Sequence, residues 1–294
     1  MSNTTESLRR KIDSATDLQS VVRTMKALAA SSISQYEQAV RALGEYARSV
    51  ELGLSVCFRG SDAIRSMTAE AVNTKERALG AVVFGSDQGL VGQFNDVVAD
   101  YARQTLTPQP QPLIWAVGER VHARLEDADL PLAGDFTVPN SVRAITQLVG
   151  QILAESEARL SQGEIGGLCL FYNRPSSGAV YAPVSQRLLP LDANWCRQLA
   201  ERPWPTGNLP EVFGTGTTTL QALIREYLFV SLFRACAESL ASENASRLAA
   251  MQRADTNIGE LLEDLNMTFH RVRQGGIDEE LFDVISGFEA LPKR

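Results

Sequence analysis

The chain has 294 residues, 28 of them basic and 35 acidic, with a formal net charge of -7. A hydrophobic content of 44 % supports a real core and excludes global disorder, while the acidic balance argues against a dedicated nucleic-acid binder. Two histidines, His122 and His270, exclude a His-rich metal site, and four scattered cysteines without a CxxC pair read as reduced, mostly buried apolar residues.

The opening Met1-Ser2-Asn3-Thr4-Thr5-Glu6 lacks the basic start and apolar stretch of a secretory signal. No window approaches eighteen uninterrupted apolar residues, so a soluble chain is expected, held at a membrane only through partners. Proline placement organises the rest. None precedes Pro108 and none lies between Pro210 and Pro292. Proline breaks a helix interior, so two long helical ends are permitted around a middle of shorter elements.

The first end predicts a helix from Ser7 to Ser55. Its stripe runs through Leu8, Ile12, Ala15, Leu18, Val22, Met25, Ala29, Ile33, Tyr36, Val40, Leu43, Ala47 and Val50. Steps alternating between three and four residues are a coiled-coil seam. Such a helix reaches roughly 70 Å at 1.5 Å per residue. Gly44 is a local weakness of about 1 kcal/mol relative to alanine if exposed.

The middle changes period. Ala78 to Ser86 is a near-continuous apolar run and reads as a buried strand, followed by a helix over Gly89–Gln104. Leu113–Gly118 is a second strand. Asn140 caps a helix carrying Val142, Ile145, Leu148, Val149 and Leu153, from Ser141 through Leu160. Ile165–Tyr172 is a third strand, and Ala179–Leu189 a fourth near an edge, because it holds Pro183. The alternation predicts an open α/β sheet inserted between the ends. Arg197 to Thr219 returns the chain to the second long helix.

That helix is expected to start near Thr219, after the flexible run 214–218, and to end at Gly275-Gly276. Its stripe includes Leu223, Tyr227, Val230, Ala237, Leu240, Asn244, Leu248, Met251, Ile258, Leu262, Leu265, Phe269 and Val272. Asp278-Glu279-Glu280 then opens a short last helix. A lone helix cannot hide such a stripe, and an antiparallel pair of the two ends is the simplest remedy. An ordinary bundle of shorter helices is the alternative. The chain thus divides into a rod helix (1–58), an inserted α/β domain with connecting segments (59–210), and a second rod helix with its short terminal helix (211–294).

Candidate chemistry is sparse. Gly85-Ser86-Asp87-Gln88-Gly89-Leu90-Val91-Gly92 follows a strand and opens a helix, but it is neither a GxGxxG nor a GxxxxGK[ST] loop and has no lysine. A tight turn, with Asp87 and Asn95 in structural hydrogen bonds, is the plainer reading. No triad is supported, and no cofactor or metal is expected. Arg9, Arg10, Lys11, Arg23, Lys26, Arg247, Arg253, Arg271 and Arg273 read as solvated faces, with contacts to acidic loops of surrounding subunits as the alternative.

These segments resemble the gamma-subunit family of F-type ATP synthases. Met25-Lys26-Ala27-Leu28-Ala29-Ala30-Ser31 is similar to the family's first-helix signature, and Gly85 through Asn95 to its glycine-rich turn. Ser242-Glu243-Asn244-Ala245-Ser246-Arg247-Leu248-Ala249-Ala250-Met251 resembles its last-helix block, and Ile277–Gly287 its terminal segment. There are departures. Ser32–Gln38 has no basic residue where the family is basic, Gln88 replaces an arginine, Val91 and Gln93 replace Cys and Gly, and Asp255 precedes Thr256 in reversed order.

The resemblance implies an antiparallel coiled coil with a Rossmann-like middle domain, serving as the central rotor stalk. It implies alpha and beta subunits in a hexameric ring around the rod, an epsilon subunit alongside, and a membrane c-ring below. The location it implies is peripheral, on the cytoplasmic face of a bacterial membrane. It makes Met25, Lys26, Arg247, Met251, Arg253 and Asn257 the first candidates for contact with the catalytic ring, Arg9 and Lys11 weaker ones, and Tyr172, Asn173 and Arg174 candidates for the foot. A coiled-coil scaffold without rotary role, or a small α/β enzyme centred on Asp87, are the rival readings.

Overall fold

In a computed structural model, the residues described are 4–59, 77–109, 111–177, 180–208, 210–211 and 216–289. The elements in chain order are α1 (Thr5–Arg59), β1 (Ala78–Phe84), α2 (Phe94–Leu106), β2 (Leu113–Val117), α3 (Glu119–Asp127), β3 (Leu132–Phe136), α4 (Val142–Gln162), β4 (Ile165–Arg174), β5 (Ala182–Leu189), α5 (Ala193–Glu201) and α6 (Gly216–Glu289). They fall into two units: Met1–Ala29 with Leu248–Arg294, and Ala30–Arg247. Both α1 and α6 contribute to each unit.

The larger unit is built on a five-stranded sheet of order β3-β2-β1-β4-β5. β1, β2, β3 and β4 run parallel, and β5 pairs antiparallel with β4 at the edge, where Pro183 sits opposite Asn173. Alternation along the strands sorts side chains to two faces, as the pleat requires. Ala81, Val83, Ile114, Ala116, Cys169 and Phe171 face α2 and α3. Val82, Phe84, Trp115, Val117, Leu168, Leu170 and Tyr172 face the other way, against α4, α6 and Tyr36 of α1. The sheet is therefore covered on both faces, which explains the unbroken apolar runs of β1 and β4.

Residues 228–243 of α6 are almost all buried, including the consecutive stretch Ala235 to Glu243. A helix apolar on all sides must be covered on more than one side. Here the sheet core takes Leu232, Phe233, Cys236 and Leu240. Higher on the same helix, Leu220 joins Val50, Leu54 and Phe58 of α1 and Cys196 and Leu199 of α5 in a separate cluster. Tyr46 of α1 donates its hydroxyl to Glu226 of α6 at 2.5 Å. Residue numbers on the two helices run in opposite directions, so the pair is antiparallel in this unit.

The smaller unit is the same two helices at their other ends, again antiparallel. Leu8, Ala15, Val22 and Ala29 are buried at steps of seven, and Met251 and Ile258 at the same step on α6. Ala15, Val22, Met251 and Ile258 form one cluster with Met25, Ala250, Ala254 and Leu262 packed against it. A sustained seven-residue repeat is the seam of a coiled coil.

Several boundaries differ from expectation. α6 runs without interruption through Gly275-Gly276 to Glu289, so neither the stop at the glycines nor a separate terminal helix is present. Without αL geometry at its end, a glycine pair only weakens a helix. The same helix begins at Gly216, placing Thr219 and residues 216–218 of the expected flexible run inside it; residues 214–215 of that run lie outside the described residues, as does Ala179 of the expected fourth strand. The helix after β1 starts at Phe94, not Gly89, because Leu90 and Gly92 adopt positive φ and keep the turn open. Ser141, not Asn140, caps α4, its side chain accepting from the Ala144 N–H, and Gly163 closes that helix in αL geometry. β3, α3 and α5 were not foreseen; α5 occupies part of the presumed connection after Arg197.

Gly85, just beyond β1, donates its N–H to the Val117 carbonyl at 2.8 Å. A Cβ there would lie 2.3 Å from Cβ of Val121 and 2.7 Å from Asn95 Oδ1. Gly85→Ala should destabilise the sheet-bearing unit by about 1–3 kcal/mol through overpacking. Denaturant titration of the full chain checks this, and an unchanged midpoint would refute the close approach.

Candidate coupling surface

In the smaller unit the carboxylate of Asp255 on α6 gathers two cations of α1. Lys26 Nζ donates to Oδ2 at 2.8 Å and Arg23 Nε to Oδ1 at 3.3 Å. Hydrogen bonding from Lys26 is the main cause that holds the Asp255 carboxyl below the usual carboxylate range. This places Lys26 in a tie between the helices, half-buried, with Met25 beside the apolar cluster. Met251 is 4 % exposed and serves the seam itself. Arg9, Lys11, Arg253 and Asn257 are exposed. The remaining surface of this unit carries exposed apolar side chains, among them Leu18, Val21, Leu28, Leu261 and Met267.

Four of the contact candidates lie in the larger unit, and three of them are occupied internally. Arg247 is a nearly buried cation whose Nη2 donates to Glu243 Oε1 at 2.6 Å, with Nη1 reaching Asn244 Oδ1 at 3.3 Å. Burial pushes the Glu243 carboxyl upward against the opposing pull of Arg247. Tyr172 and Asn173 are fully buried, and Asn173 Nδ2 donates to the Phe94 carbonyl at 2.9 Å. Arg174 is the exposed member. Its Nη2 donates to the Tyr172 hydroxyl at 2.7 Å and its Nε to Glu238 Oε2 at 3.0 Å, while Arg234 Nε donates to the other oxygen, Oε1, at 2.8 Å. Glu238 thus ties the end of β4 to α6. Glu238 and Asp255 escape sequence reasoning because their ties to Arg174 and Lys26 cross between elements, whereas Arg234 meets Glu238 at the ordinary i,i+4 helical spacing.

The glycine-rich turn is bound into the same unit. Asp87 Oδ1 accepts from the Glu119 N–H at 3.0 Å and Oδ2 from the Val138 N–H at 3.1 Å. Asn95 Oδ1 accepts from the Ser86 N–H at 2.9 Å and its Nδ2 donates to Ser86 Oγ at 2.8 Å. Ser246 of α6 donates its hydroxyl to the Val91 carbonyl at 2.6 Å. Both oxygens of Asp87 are therefore committed to the first residue of α3 and to the segment before α4. The arrangement offers anchoring rather than a general base, which would need a free lone pair facing a substrate. No described helix is long and apolar enough to cross a membrane.

A family model described as ATP synthase matches residues 4–291. Relatives include the ATP synthase gamma chain of Salinibacter ruber, 28 % identical over 97 % of this chain and 97 % of that one. The ATP synthase gamma chain of Paracoccus denitrificans is also 28 % identical, over 97 % of this chain and 98 % of its own. Among solved structures, a chain of the Euglena gracilis mitochondrial ATP synthase OSCP/F1/c-ring assembly has the same fold, with a TM-score of 0.62 at 18 % identity over 98 % of this chain and 94 % of that one.

Two outcomes follow from this geometry. Asp87→Ala should cost about 1–3 kcal/mol by leaving two backbone donors without their acceptor, an effect on stability that denaturant titration measures. The Asp255 tie stabilises the helix pair above the carboxyl's unfolded pKa and is lost as pH falls through the depressed folded value. Asp255→Asn should therefore speed amide exchange over residues 19–29 at neutral pH, with the difference from the parent vanishing on acidification. A difference independent of pH would reject its ionic origin.

Proposed function

The chain belongs to the ATP synthase gamma-subunit family, and we propose that it acts as the central stalk through a division of labour between its two units. The stalk itself performs no bond chemistry. ATP is made or hydrolysed in alpha and beta subunits, and this chain turns among them and carries torque to or from a membrane c-ring. The helical unit engages the hexameric alpha/beta ring, and the sheet-bearing unit engages the c-ring with an epsilon subunit alongside. The division of the chain into 1–58, 59–210 and 211–294 describes this order of parts along the sequence. Attachment is peripheral, at the cytoplasmic face of a bacterial membrane, through partners alone.

The observation that carries this reading is the antiparallel seam with its seven-residue repeat. Knobs-into-holes packing resists sliding and unwinding of one helix against the other, which a shaft under torque requires. Lys26 and Arg23, clamped on Asp255, fix the register of that seam. Met25, Lys26, Arg247 and Met251 then support the contact surface from within, and Arg253, Asn257, Arg9 and Lys11 present it. Arg174 is the exposed candidate at the foot, supported by Tyr172 and Asn173. The commitment of both Asp87 oxygens to backbone donors weighs against an enzyme centred on that turn.

A photo-cross-linking residue placed singly at Arg9, Lys11, Arg253 or Asn257 in the assembled complex should attach to alpha or beta subunits. Multiple-turnover ATPase activity should stop in the linked fraction, whereas the same residue at Asp129 should give no such links. Absence of links from all four helical positions, or links that leave turnover intact, would overturn this assignment of surfaces.

A further inference from the structure

A cavity of about 580 Å³ lies within the sheet-bearing unit, between α1, β5, α5 and α6. Its volume is in the range that takes up small organic molecules. Its lining is mixed, with an apolar part made by Val40 and Leu43 of α1 and by the rings of Trp195 and Tyr227, whose centroids are 4.8 Å apart. These side chains are only half-buried although they border the packed cores of this unit. Apolar surface left open inside a concavity is what an apolar ligand body covers.

The charge around the cavity is one-sided. Arg41, Arg174 and Arg234 line it. Arg174 and Arg234 share the single carboxylate of Glu238. Glu51, also in the lining, is engaged by Arg202 at 3.1 Å. Arg41 has no hydrogen-bond or ion-pair partner among the described residues. Cations thus outnumber the acids available to them, in a chain whose formal net charge is -7. Guanidinium groups suit carboxylate and phosphate oxygens, which they bind by paired N–H donors. Gly44 adds a geometric sign. It sits mid-helix in the lining, where glycine is disfavoured, and a Cβ built there meets nothing within 4 Å.

We infer that this cavity binds an amphipathic organic anion of the acyl-carboxylate kind, its apolar body against Trp195 and Tyr227 and its headgroup at Arg41 and Arg234. The inference is independent of whether the chain turns within a larger assembly.

Titration calorimetry of the full chain with decanoate, against decyltrimethylammonium as a probe of equal chain length and opposite charge, tests it. One saturable decanoate site is expected, weakened at least tenfold by Arg41→Ala combined with Arg234→Ala. Gly44→Trp, which has room to project into the cavity, should abolish it, with circular dichroism and melting curves confirming that the variants are folded. Equal binding of both amphiphiles, no saturable site, or affinity unchanged in the folded arginine or Gly44 variants would each overturn the inference.

Discussion

Burial of the apolar surface of α6 is the constraint from which the architecture follows. This helix has 74 residues, and between 228 and 243 nearly every position is withdrawn from water. No single neighbour can cover a helix all round, so the sheet and α1 take different sides of it. Beyond Arg247 the helix narrows to a stripe that α1 covers as far as Leu262, while Ile277, Leu281, Phe282 and Val284 near its end stay exposed. The two units are two solutions to the same burial problem, applied successively along one element. The polar contacts are arranged around that burial: Glu238 and Ser246 tie α6 to the strand ends and the glycine-rich turn, and Asp255 ties it to α1.

The partition also separates two mechanical needs. In the sheet-bearing unit, hydrophobic contact is extensive and side chains interdigitate on both sheet faces, so small displacements are resisted by close packing. In the helical unit, small residues such as Ala15, Ala29, Ala250 and Ala254 keep the seam slim. A slim pair leaves most of each helix facing outward, where apolar residues such as Leu28 and Met267 remain open to contact. Stiffness there rests on register, and register rests on the periodicity and on the Lys26–Asp255 tie.

Much of this is legible in the sequence alone. The two proline-free ends, the stripe of α1 and the alternation of strand and helix in the middle point to a paired-helix rod with an inserted α/β domain, since periodicity is a local property of sequence. Boundaries were less legible where backbone geometry competes with composition. Gly275-Gly276 looked like a stop, yet a glycine pair ends a helix only if the chain turns left-handed there, and composition does not decide that. β3 was missed because Leu132-Ala133-Gly134-Asp135-Phe136 is short, mixed in polarity and at a sheet edge. The contact candidates divided by burial: Met251, Tyr172, Asn173 and Arg247 carry the chemical character of a partner surface but are spent inside the chain. Sequence spacing identifies which face of a helix a residue occupies, not which distant element covers that face.

The order of the strands reverses between β1 and β4, and in open α/β sheets the crevice beyond the carboxyl ends of such a pair is where nucleotides and their phosphates settle. In this chain the turn following β1 is sealed from within: Ser246 bonds to Val91, and the Ser246 hydroxyl lies 3.8 Å from where a side chain on Gly92 would begin. An architecture suited to holding a small guest has accepted a length of its own backbone as a permanent lodger. Opening that turn to a ligand would mean giving up the Ser246 bond that fastens it to the long helix.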